Sequence, residues 1–156
     1  LGSANSVATR ASSRFIILAP WAARWDWVAD QLRRAKSERI RRLFVLTPTS
    51  PLAWPQKQEG QMLVRWLSLA LREGVETWVL FGDETLTHRL VDGVHLMGVP
   101  PVSPSGGLVL LSLAPSGVSV RPVEPAAQLG APAPPAGPQT AAQELDPSGT
   151  NPNPNL

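Results

Sequence analysis

Three short, continuous apolar runs constrain the fold of this 156-residue chain more than any other feature of its sequence. They occupy residues 14–20, 42–47 and 76–81, and each is rich in residues that favour β-strands. Proline or glycine closes each run, and a segment with helical spacing separates one run from the next. Fully apolar strands that alternate with helices are typical of a parallel sheet with right-handed crossovers.

The two segments between these runs carry the periodicity of helices. The first, between residues 21 and 40, has its apolar residues on one side at helical spacing. These are Trp25, Val28, Ala29, Leu32, Ala35 and Ile40. The second, residues 56–73, is apolar around well over half of its circumference, so it must be covered on more than one side. Gly74 follows and is suited to end this helix.

The rest of the apolar sequence predicts further strands. Residues 94–99 indicate a fourth strand, and the polar stretch 85–93 before it indicates a helical turn. Residues 106–113 and 118–123 flank Pro-Ser-Gly and predict a hairpin that adds an antiparallel edge. The expected fold is α/β, with a three-layer, Rossmann-like arrangement in which helices cover both faces of a mostly parallel sheet.

Composition divides the chain into three parts. Residues 1–13 are predicted to be a disordered linker, residues 14–123 the α/β domain, and residues 124–156 a disordered tail rich in Pro, Ala and Gly. The chain has 17 prolines and only 17% charged residues, which fits an apolar domain joined to such a tail. Because it begins with Leu1, we expect a fragment of a longer protein whose upstream part is a candidate partner.

Charge and cysteine content narrow the class of partner. All 14 Lys and Arg lie at or before Arg121, against nine acidic residues there, and three acids follow, so a body of net charge +5 precedes an acidic tail. A basic body is compatible with DNA or RNA. The absence of cysteine excludes disulfides and thiol chemistry and is compatible with an intracellular, reducing compartment. No apolar run reaches the roughly 18 residues that span a bilayer, so no membrane partner is expected.

The ends of the predicted strands are the best place to look for a catalytic site. Ligands of open α/β sheets bind beyond the carboxyl ends of the strands, and the loops there begin at Pro20-Trp21, Thr47-Pro48 and Gly82-Asp83. The candidate residues are Pro20, Trp21 and Asp83. A carboxylate at Asp83 suits a ribose hydroxyl or a proton, and the nearby histidines match no metal-ligand spacing, so no metal is assigned. Neither a P-loop nor a dinucleotide fingerprint is present.

A second candidate site is a cluster of cations next to a tryptophan. Six Lys and Arg fall between residues 33 and 42, a density that suits contacts to phosphates. Trp27 is followed at seven-residue spacing by two arginines, so that it is placed to stack a base. The predicted nucleic-acid-binding residues are Trp27, Arg33, Arg34, Arg41 and Arg42. The alternatives are a solvated helix end and a tryptophan packed under a loop.

Residues 14–115 resemble part of the Rossmann-like DNA N6-adenine methyltransferases of phage and retrotransposon type. In that family one strand ends in a [D/N]-P-P-[F/Y/W] motif, and Leu18-Ala19-Pro20-Trp21 lies at the matching place. Residues 46–51 look like the next strand end. Leu18 replaces the family's Asp or Asn, Ala19 replaces its first proline, and the glycine-rich strand that binds S-adenosylmethionine would lie upstream of Leu1.

The resemblance implies a degenerate or incomplete methyltransferase-like domain that modifies nucleic acid, takes S-adenosylmethionine as its cofactor, and has no activity alone. Two alternatives stay open. One is a non-catalytic α/β interaction module of a larger polyprotein. The other is a nucleotide- or nucleic-acid-binding enzyme domain that uses Asp83 at the strand ends, so whether the chain is an enzyme is left undecided.

Overall fold

The structure, a computed structural model, describes residues 5–101 and 108–123. Its helices are α1 (Trp25–Ser37) and α2 (Lys57–Arg72), and short 3₁₀ turns lie at Pro20–Ala22 and Pro51–Ala53. Its strands are β1 (Ser6–Arg10), β2 (Ser13–Ile17), β3 (Arg42–Thr47), β4 (Glu76–Gly82), β5 (Thr87–Val91), β6 (Val94–Val99), β7 (Leu108–Ala114) and β8 (Gly117–Val123). Within this described part, neither helix is long and apolar enough to cross a membrane.

Six strands form a mixed sheet in the order β1-β2-β3-β4-β6-β5. Strands β2, β3, β4 and β6 run parallel, and the two edge strands β1 and β5 run antiparallel to their neighbours. The three apolar runs therefore lie side by side in one direction, as their composition predicts. The α/β class and the mostly parallel sheet are confirmed.

Both helices cover the same face of the sheet. The chain steps from β2 to β3 to β4 in one direction, and right-handed crossovers then place both connecting helices on one side. The main core lies between this face and the helices, where Leu43 and Val79 from the sheet meet Leu67 of α2. The expectation of helices on both faces is therefore wrong, because the strand order never reverses.

The opposite face of the sheet is covered by the hairpin of β7 and β8. This hairpin is a separate two-stranded sheet, so the expectation that it extends the main sheet as an edge is wrong. Its apolar side chains pack on a row of aromatic residues that runs across the parallel strands. Phe15 and Phe44 stack with ring centroids 4.9 Å apart, and Trp78 continues the row beside Phe44 at 6.3 Å. Burial of this apolar row favours packing of the hairpin on the face.

Two segments differ from their predicted local structure. Residues 6–10 lie within the predicted linker yet form β1, whose side chains are all exposed and which is held by backbone pairing to β2. The predicted helical turn within 85–93 is instead strand β5, followed by a tight turn at Asp92-Gly93. The predicted tail, 124–156, lies outside the described residues.

One buried hydroxyl gives a stability prediction. Thr77 is fully buried in β4, and its Oγ1 has no hydrogen-bond partner among the described residues. Because an unsatisfied buried hydroxyl costs about 1–3 kcal/mol, Thr77→Val is expected to raise the free energy of unfolding by about 1 kcal/mol in urea denaturation. Thr77→Ser keeps the hydroxyl and removes a methyl group, so it should lower stability. A Val variant less stable than the parent would contradict the prediction.

Candidate nucleic-acid interface

The predicted strand-end loops do meet along one edge of the sheet, which we call the carboxyl edge. The edge where the parallel strands begin is called the amino edge. The loops after β2, β3 and β4 all leave at the carboxyl edge because these strands are parallel neighbours. The backbone N–H of Gly82 donates to the carbonyl of Pro48 at 3.0 Å, which joins two of the loops directly.

The structure does not bring the three candidate catalytic residues together. Pro20 begins a 3₁₀ turn after β2, and Trp21 is 77% exposed. Asp83 follows β4, two strand positions away, a separation of roughly 10 Å by ordinary strand spacing. Leu18, at the motif's Asp or Asn position, is buried in the core at 1% exposure and has no polar side-chain atom. Pro20 and Trp21 thus form no site with Asp83.

Asp83 is held in place at the mouth of an apolar cavity. Its Oδ1 accepts from the backbone N–H of Glu84 at 2.8 Å, and its Oδ2 accepts from Thr87 Oγ1 at 3.1 Å. The cavity, about 460 Å³, is lined by Gly82, Asp83, Glu84, Val99 and Pro101. Asp83 is therefore an ordered acceptor group, and no cation lines the cavity beside it among the described residues.

The predicted nucleic-acid-binding residues on α1 differ in their exposure and in their partners. Trp27 is half-buried and packs against the main core, so the packed-tryptophan alternative describes it. Arg34 is exposed but forms an ion pair with Asp30, one turn earlier, at 2.8 Å. Arg33 is exposed and lines a groove between α1 and α2, where no acidic residue pairs with it in the described part of the chain.

Arg41 and Arg42 lie at the amino edge, at the start of β3. Arg41 is exposed, and within residues 5–101 and 108–123 it has no ion-pair partner. The side chain of Arg42 is only 11% exposed, and its Nε donates to Glu76 at 2.9 Å. Its two terminal nitrogens donate to no described residue, so this buried guanidinium keeps unused donors.

These two arginines contribute to a cavity of about 320 Å³ between the amino edge and the tip of the hairpin, which we call the arginine cleft. It is lined by Arg10, Ala11, Ser12, Ser13, Phe15, Arg41, Arg42, Leu113, Ala114 and Pro115. Arg10 is exposed and, like Arg41, has no ion-pair partner among the described residues. Three guanidinium groups with a single acidic neighbour, Glu76, give the cleft an excess of about two positive charges.

The charge of the cleft belongs to a wider separation of charge across the sheet. Cations outnumber acids at the amino edge, where the strands begin and both helices end. The cations there are Arg10, Arg14, Lys36, Arg39, Arg41, Arg42 and Arg72, and the acids are Glu38, Glu73, Glu76 and Asp92. At the carboxyl edge acids outnumber cations, with Arg24, Lys57 and Arg121 against Asp26, Glu59, Asp83 and Glu84. The amino edge therefore has the more positive electrostatic potential.

Sequence analysis identified Arg41 and Arg42 as candidate binding residues but missed the other residues that line the arginine cleft. Arg10 and Ser12 lie in the segment expected to be disordered, and Pro115 belongs to a hairpin expected at the sheet edge. The pair Arg41-Arg42, directly before an apolar strand, is the part of the cleft that the sequence does indicate, since charged residues there must lie at the rim of the sheet.

A histidine pair lies on the hairpin-facing side of the sheet, at the far end of the aromatic row. His95 stacks on Trp78 with centroids 3.9 Å apart, and its Nδ1 lies 2.9 Å from His88 Nε2 in a nearly coplanar arrangement. Burial is the main reason that the pKa of His95 is lowered from its ordinary 6.5, and repulsion from His88 adds to this, whereas Glu76 opposes it. The ring-to-ring hydrogen bond requires at least one unprotonated nitrogen.

Acidification is therefore expected to destabilise the fold through His95. The pKa of His95 in the folded protein lies below 6.5. Its contribution to the free energy of unfolding is therefore complete above pH 6.5 and is lost as the pH falls through the pKa of the folded state. Thermal melts between about pH 7.5 and about pH 5 should show a smaller fall in Tm for His95→Phe, which keeps the stacking on Trp78, than for the parent chain. Parallel pH profiles for the two proteins would contradict this role of His95.

Comparison of the chain with protein-family models, with curated proteins and with solved structures finds no match in any of the three.

Proposed function

We propose that this chain is a nucleic-acid-binding α/β module that takes up the phosphates of a single strand along the amino edge of its sheet. The observation that carries the proposal is the arginine cleft, where Arg10 and Arg41 have no ion-pair partner among the described residues and Arg42 keeps two unused nitrogens. Guanidinium groups bind phosphate oxygens in a bidentate fashion, and those without an acidic partner bind them most favourably.

The apolar wall of the cleft favours a single strand over a duplex. Phe15 and Pro115 line the same cavity as the arginines, so a sugar or base is able to pack beside a bound phosphate. Unpaired bases present their faces for such packing, whereas the bases of a duplex are stacked on one another. The charge separation across the sheet adds a long-range attraction that orients the module before it binds.

The test is a binding titration with a labelled single-stranded oligonucleotide of about 12 nucleotides, followed by fluorescence anisotropy at several salt concentrations. The double variant Arg10→Gln/Arg41→Gln is expected to weaken binding at low salt about tenfold or more. The slope of log K against log salt should become shallower by about 1.4, because each phosphate that a cation neutralises on a single strand contributes about 0.7 to it.

A matched control distinguishes the loss of binding in the cleft from the effect of a lower net charge. Arg65→Gln/Arg89→Gln removes the same two charges from exposed arginines on α2 and β5, outside the cleft. This control should keep most of the affinity and the salt slope. Equal losses in both double variants, or no binding by the parent at low salt, would overturn the proposal.

The resemblance to adenine methyltransferases remains a separate hypothesis with its own test. A saturable rise in Tm with S-adenosylmethionine would support it, because a ligand that binds only the folded state stabilises that state. The burial of Leu18 leaves the motif position without an acceptor for a target amine, so the phosphate-binding proposal has the stronger support.

A further inference from the structure

We propose that the arginine cleft binds a phosphate monoester at the end of a nucleic-acid strand, rather than a phosphodiester within it. This inference rests on the proposed function, since it names the part of the nucleic acid that the same cleft receives. It depends on three features of the cleft: its shape, its charge and its buried guanidinium.

The cleft is bounded on two sides by different parts of the chain. The tip of the hairpin, Leu113–Pro115, forms one wall, and the turn that joins β1 to β2, at Ala11-Ser12, forms another. Between these walls the aromatic ring of Phe15 and the start of β3 complete the lining. A continuous strand needs an entrance and an exit, whereas a terminal nucleotide needs only an entrance.

The charge of the cleft matches a dianion better than a monoanion. Three arginines face the cavity, and Glu76 neutralises one of them through the Nε of Arg42. The excess of about two positive charges corresponds to a phosphate monoester, which carries about −1.5 to −2 at pH 7. A phosphodiester carries only a single charge and would leave one guanidinium without a partner.

The buried guanidinium gives the cleft a fixed donor. Arg42 is held by Glu76 on one side, and its unused terminal nitrogens belong to a side chain that is 11% exposed and lines the cavity. Because the side chain is already ordered, little conformational entropy is lost when an oxygen binds to it. Ser12 and Ser13 line the same cavity.

The experiment compares three oligonucleotides of one sequence, which carry a 5′-phosphate, a 3′-phosphate or hydroxyls at both ends. At least one phosphorylated form is expected to bind roughly tenfold more tightly than the hydroxyl form. AMP should compete with it, and inorganic phosphate should compete more weakly because it leaves the apolar wall uncovered. The preference should shrink as the pH falls below about 6, where the monoester loses its second charge.

The exposed variant Arg10→Gln/Arg41→Gln should remove the preference, and Arg65→Gln/Arg89→Gln should retain it. Equal affinity for all three oligonucleotides, with binding still sensitive to salt, would overturn this inference and leave the proposed function standing. Binding of AMP without binding of any oligonucleotide would overturn the proposed function and, with it, the assignment of the monoester to the end of a nucleic-acid strand. Absence of both would overturn both.

Discussion

Replacing Trp54 by alanine is expected to lower the free energy of unfolding by about 3–5 kcal/mol, the usual loss for a fully buried tryptophan. Trp54 follows the 3₁₀ turn at Pro51–Ala53 and is 1% exposed within the main core. Its ring lies 6.3 Å from that of Trp25, so it joins the loop after β3 to the start of α1. Domains of this size have a free energy of unfolding of about 5–15 kcal/mol, so the substitution should remove a large fraction of the total stability.

Far-ultraviolet circular dichroism during urea denaturation measures this loss without relying on the fluorescence of the remaining tryptophans. Trp54→Phe is the matched control because it keeps an aromatic ring, while it removes part of the indole together with the N–H that donates to the Thr49 carbonyl at 3.1 Å. The Thr49 carbonyl also accepts from Thr47 Oγ1 at 2.7 Å, so it stays bonded, and this variant should lose only about 1–2 kcal/mol. A loss below about 1 kcal/mol in the alanine variant would show that the core is able to close over the site.

Alanine at Gly60 is expected to destabilise the fold by about 1–3 kcal/mol, although the same change in an ordinary helix stabilises by about 1 kcal/mol. Gly60 is a buried residue in the first turns of α2. A Cβ atom there would overlap the carbonyl oxygen of Pro51 and lie 2.8 Å from its carbon. Because the obstacle is backbone in a proline-containing turn, relief requires the helix or the turn to move.

Overlap with the Pro51 carbonyl and the higher helix propensity of alanine change the stability in opposite directions. The sign of the change in Gly60→Ala therefore shows which of them dominates. Gln61→Ala, at the exposed next position of α2, is the control and should change stability by less than about 0.5 kcal/mol. Denaturation in urea with an unchanged m-value would attribute the loss at Gly60 to packing and not to partial unfolding. A Gly60→Ala protein more stable than the parent would mean that the turn and the helix are not packed closely together.

The core of this fold was predictable because its elements carry their own local pattern. The runs around Phe44 and Val79 are apolar on both faces, and only strands covered on both sides have that composition. The end of α2 at Gly74 was likewise predictable, since its φ of +91° suits glycine. In each case the signal lies within a few consecutive residues.

The edges of the fold were not predictable, because the elements there have no local sequence pattern and depend on contacts between distant parts of the chain. All five side chains of β1 are exposed, so its backbone pairing leaves no alternation in the sequence. The position of the hairpin depends on the aromatic row of Phe15, Phe44 and Trp78, which forms only when three distant strands align. The arginine cleft combines these two elements, and Arg10 meets Pro115 there through tertiary structure alone.

The direction of β8 has a consequence for how the module would display whatever polypeptide is joined to it. This strand begins near the arginine cleft at the amino edge. Its seven residues extend about 20 Å along the same face of the sheet, and it ends at Val123 toward the carboxyl edge. The chain after Val123 therefore starts at the carboxyl edge, away from the arginine cleft and from any nucleic-acid strand that this cleft binds.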